Sequence, residues 1–89
     1  MGWVKVYIRY TRSADKAAAR LVAHLSRLFH LYGASKDAIV YHVRIPMVGH
    51  VYYLPPETVH IAGSALDQYG EVTPADPPSS LKELERVEF

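Results

Sequence analysis

The stretch SADKAAARLVAHLSRLFHLYG, residues 13–33, decides the fold. Ala14, Ala18, Leu21, Leu25, Leu28 and Tyr32 recur at the spacing that gathers apolar side chains on one face of an α-helix. Ser13 stands where an N-cap hydroxyl can accept from the first free amides, and Asp15 suits the positive end of the helix dipole. Gly33 supplies the left-handed residue that ends such a helix. The pattern predicts a helix from Ala14 to Leu31 or Tyr32. Its opposite side, continuing from Arg12, carries Lys16, Arg20, Ala23, Arg27 and His30, a basic line with no acidic partner. Such a line can track a phosphate backbone. A charged helix face is more often simply solvated, although an ordinary one mixes signs to gain i,i+4 pairs.

A helix with one apolar face needs something to cover it, and the flanking sequence offers strands. Residues 3–11 alternate, with Val4, Val6, Ile8 and Tyr10 expected toward the helix and Trp3, Lys5, Tyr7 and Arg9 away from it. Residues 38–45 and 49–54 read as a hairpin. A three-residue loop, Met47-Val48-Gly49, with Gly49 at positive φ, sets Val51 and Tyr53 beside Val43 and Ile45. That apolar set, with Ile39 and Tyr41, is expected in the core, which leaves His42, Arg44, His50 and Tyr52 on the other face. A one-residue change of pairing would reverse the choice.

Farther on, Pro55-Pro56-Glu57 reads as a turn, and 58–62 as a fourth strand with Val59 and Ile61 inward. Residues 63–78, broken by Gly63, Gly70, Pro74, Pro77 and Pro78, read as irregular. Ser80 and Glu83 form a capping box for a short last helix over 80–88, with Leu81, Leu84 and Val87 on one side. The expected fold is a single α+β domain over residues 1–89. It is a two-layer sandwich in β-α-β-β-β-α order, its long helix lying on a small, mostly antiparallel sheet.

Composition narrows the function classes. The chain has 89 residues, 49 % of them hydrophobic, and no cysteine, which removes disulfides and thiolate metal sites. No apolar run approaches the ~18 residues of a membrane span, so no membrane partner is expected. The opening residues lack a signal-peptide layout, and a cytoplasmic location is expected. There is no Asn and one Gln, Gln68, a depletion in the direction of thermophile proteins. Residues 1–50 hold eight Lys and Arg against two Asp, a balance of +6, whereas residues 51–89 carry −5. Such asymmetry suits a polyanion partner, or two halves that neutralise each other within one fold or between copies.

The expected open face joins rings to cations. Its candidate nucleic-acid-binding residues are Trp3, Lys5, Tyr7, Arg9, Arg44 and Tyr52, with rings to stack on bases and cations to meet phosphates. Sheet faces of this kind serve RNA-recognition modules, whose aromatic-glycine signature this chain lacks. The expected function is therefore a small non-enzymatic protein binding single-stranded nucleic acid. The alternative is a homo-oligomer or complex subunit that buries the same rings against protein. The five histidines contain no HExxH and no i,i+4 ligand pair, and His42 with His50 across the hairpin lacks an obvious acid. Thr11-Arg12-Ser13 precedes a helix without a glycine-rich loop. No serine spacing nominates a nucleophile. No catalytic residue, metal or cofactor is expected.

Overall fold

The computed structural model describes residues 2–89. The 13–33 stretch forms α1, Ala14–Leu31, and buries Ala14, Ala18, Leu21, Leu25 and Phe29. The stripe ends on Phe29, with Leu28 half-buried and Tyr32 65 % exposed. Steps of four and three residues keep that line straight along the helix, whereas Tyr32 lies at the cap, beyond the last turn. Phe29 also gains a partner from far along the chain: the Phe89 ring meets it edge-on, with centroids 4.8 Å apart. Ser13 occupies the N-cap position without a side-chain cap bond, and Gly33 takes φ +67° after the helix as expected.

Five strands form one antiparallel sheet: β1 Trp3–Arg9, β2 Tyr41–Ile45, β3 Gly49–Leu54, β4 Glu71–Ala75 and β5 Glu85–Arg86. Their spatial order is β4-β1-β3-β2-β5. A second helix, α2, Pro56–Ala62, lies between β3 and β4 in sequence. The first four strands and the two helices thus run β-α-β-β-α-β, the split βαβ order. The α+β class holds, and the expected element order does not.

Three segments differ from expectation, each for a local reason. Residues 58–62 are helical rather than a strand. Pro56 sits at the first turn, where its missing N–H is harmless and its φ is already helical, and the Val59 N–H donates to Pro55 O at 3.0 Å. The Thr58 hydroxyl then donates to Ile39 O at 2.7 Å, tying α2 to the strand-side backbone. Residues 63–78 contain a 3₁₀-helix, Gly63–Gln68, and then β4. Pro74 is tolerated inside β4 because β4 lies at the sheet's edge. Residues 80–88 make one turn, in which Ser80 Oγ accepts from the Lys82 N–H at 3.4 Å, and then β5. So short a helix has little to offset its nucleation, whereas the backbone of β2 offers a ladder.

The hairpin loop has three residues, but they are Pro46-Met47-Val48. Ile45 pairs with Gly49, and the Val48 N–H donates to Ile45 O at 3.0 Å. The shift leaves the two side-chain sets intact: Val43 lies opposite Val51 and Tyr41 opposite Tyr53, while His42 lies opposite Tyr52 and Arg44 opposite His50. What is inverted is the set that faces the helices. In the β1–β3 register Val4 pairs with Leu54, Val6 with Tyr52 and Ile8 with His50. Tyr52, at 3 % exposure, therefore joins Val40, Leu54, Leu21, Leu25 and Phe29 in one core to which α2 adds Ala62. Among the described residues no helix is long and apolar enough to cross a membrane.

Candidate functional site

The inversion divides the expected site. Trp3, Lys5, Tyr7 and Arg9 lie on the sheet face away from the core, as alternation along β1 requires. Tyr52 and Arg44 do not, and the expectation that they share that face is corrected. The Tyr52 hydroxyl is pushed up to about 12 by burial. Arg44 reaches Asp15 on α1, Nε to Oδ1 3.7 Å.

In their place the hairpin presents Tyr41, Val43 and Ile45 from β2 with Val51 and Tyr53 from β3, all in register with the outward residues of β1. The edge strands complete the face with Glu71 and Thr73 from β4 and Arg86 from β5. Trp3 and Tyr41 lie nearly parallel, 12° apart with centroids at 6.4 Å. The Tyr7 hydroxyl donates to Val48 O at 2.9 Å, which fixes its ring over the sheet. Lys5, Tyr7, Val48, Val51, Glu71 and Thr73 line a shallow depression of about 330 Å³. The face is thus aromatic and aliphatic in the middle, with Arg9, Glu71 and Arg86 exposed toward its margins.

The set turned inward builds a second constellation. His50, 6 % exposed, bonds on both sides: its Nε2 lies 2.8 Å from Asp15 Oδ1 and its Nδ1 2.8 Å from His42 Nε2. A carboxylate only accepts, so His50 Nε2–H donates to Asp15; in a neutral ring Nδ1 then accepts, and His42 Nε2–H donates to it. His42 also stacks on Tyr52, with centroids 4.5 Å apart. The bond from His50, then the charge of Arg44, holds the Asp15 carboxyl below its usual range. Burial, then the neighbouring His50, lowers the His42 pKa against the opposing pull of Glu85.

Asp15 is the acid that the histidine pair lacked in the sequence. It sits in the first turn of α1, 35 residues from His50, where the dipole alone explains an aspartate. The three side chains still make no metal centre, because the ring nitrogens point at one another. Among the described residues no group of three or more His, Cys, Asp or Glu is disposed to hold a metal ion. No family of known proteins, no curated protein and no solved structure matches the chain.

Proposed function

We propose that this chain is an assembly protein that pairs with a second copy of itself through the open sheet face. In this reading it is a two-layer α+β sandwich whose sheet receives its missing cover from that copy. The observation that carries the proposal is the apolar strip of Val43 and Ile45, with Tyr41, Tyr53 and Tyr7 around it, lying beside the already buried Val51. Contiguous apolar surface of this kind marks interfaces, and aromatic residues are enriched at their centres. Base stacking would use the rings but gains little from the aliphatic residues that replace His42, Arg44 and His50 there.

The strand order suits a second copy. Glu71 and Arg86 stand on opposite margins of the face, with β3 midway between them. A twofold axis running along β3 between two facing sheets lays the β4 of one copy over the β5 of the other. In that pairing Val43 of each copy faces Tyr7 of the other, and Arg86 faces Thr73, with Glu71 two residues farther along its strand.

Light scattering should give twice the chain mass at micromolar concentration. Val43→Asp should weaken the dimer by at least about 30-fold, roughly 2 kcal/mol, with the far-ultraviolet dichroism unchanged. A wild-type chain that stays monomeric at several hundred micromolar defeats the proposal.

A second reading rests on Trp3, Lys5, Tyr7 and Arg9, which share this face: single-stranded nucleic acid with bases on the rings and phosphates on the cations. Salt separates the two. Phosphate binding falls steeply with ionic strength, and Arg9→Ala should flatten that slope, whereas an apolar dimer persists.

A further inference from the structure

The Asp15, His50 and His42 chain joins the first turn of α1 to both strands of the β2–β3 hairpin by two hydrogen bonds of 2.8 Å each. Its middle member is almost wholly enclosed, while the Asp15 side chain at one end is 75 % exposed. The contact between His42 Nε2 and His50 Nδ1 has room for one hydrogen. With both imidazoles neutral that hydrogen belongs to His42. One added proton is accommodated, because it enters at the far Nδ1 of His42, or at His50 Nδ1 with the shared bond reversed. A second added proton puts N–H against N–H, and the bond becomes a repulsion.

We propose that this chain is a proton-operated latch, closed while the histidine pair holds no more than one added proton and opened by the second. The charged and titratable groups around the pair come from four elements: Asp15 on α1, Arg44 on β2, Tyr52 on β3 and Glu85 on β5. Asp15 and Glu85 favour the first proton. Arg44, 3.7 Å from the same carboxylate oxygen, limits the charge left over for a second. The lowered His42 pKa has the matching sign. Below the ordinary histidine value of about 6.5, an unfolded or opened chain takes up protons that the closed pair refuses. Stability of the closed state is therefore full above that value and declines as pH falls through it.

Amide exchange followed by NMR at pH 7.5 and 5.0 tests the latch, at a concentration where light scattering shows one unchanged species. After correction for intrinsic rates, the Val43, Val51 and Tyr53 amides of the wild type should exchange at least about 10-fold faster at pH 5.0, the equivalent of one pKa unit. His42→Gln keeps a side-chain N–H donor for His50 but removes the second proton site, so its hairpin should not accelerate. A wild-type hairpin with no acceleration, or a His42→Gln hairpin that accelerates as much as the wild type, overturns the proposal.

Discussion

Phe29→Ala is expected to lower the unfolding free energy by about 3–5 kcal/mol, the range for a large side chain removed from a packed core. Phe29 is fully enclosed, ends the buried stripe of α1 and holds the Phe89 ring against it. A domain of this size has on the order of 5–15 kcal/mol in total, so the variant loses a large fraction. Thermal melting should show it plainly, since ~1 kcal/mol moves the midpoint by about 4–8 °C at this length. Tyr32→Ala should melt close to the wild type, because that ring is largely in water. Equal effects from the two variants would show that the helix is turned relative to the sheet.

Gly49→Ala is expected to be nearly as damaging, by roughly 2–4 kcal/mol. Gly49 has φ +137°, a conformation with a penalty of about 1–3 kcal/mol for other residues. An added Cβ would lie 2.0 Å from Ile8 O, so β1 or β3 must also shift. Met47, two residues earlier, has φ +65° in open surroundings and is 77 % exposed. Met47→Gly should therefore be neutral or stabilising by up to ~1 kcal/mol. Chemical denaturation of the two variants checks the pair. A tolerated Gly49→Ala would mean that the β1–β3 approach is looser than the register requires.

Much of the fold is legible along the chain because it is written in local periods. The three- and four-residue recurrence from Ala14 to Leu25 locates α1, and alternation assigns Trp3, Lys5, Tyr7 and Arg9 to the face away from it. The hairpin's two side-chain sets can also be separated, since alternation and a loop of odd length fix them. Which set turns inward is not a local property. Apolarity argues for Val43, Ile45, Val51 and Tyr53. The inverted choice prevails because Val40, Tyr52 and Leu54 fill the core while His50 is satisfied on both ring nitrogens by Asp15 and His42. A buried histidine with both partners carries little penalty, and the partners are not neighbours in sequence. The same limit hides β4 and β5, whose few residues become strands by pairing with β1 and β2 rather than by propensity. In α2, tertiary packing and Pro56 outweigh the β-branched Thr58, Val59 and Ile61. The candidate site inherits the ambiguity: its β1 half is readable, and its hairpin half depends on the inversion.

The outermost strands bear on how copies of this chain could accumulate. A free sheet margin is a template on which another chain can add a strand, and repeated addition gives fibrils. Here one margin contains Pro74, which offers no N–H, and the other is the two-residue, fully charged pair Glu85 and Arg86. Both are poor templates for lateral growth. In the dimer proposed above, self-association uses the broad face instead, where a twofold pairing takes the same patch on both partners and consumes it. An assembly of that geometry closes at two and does not polymerise.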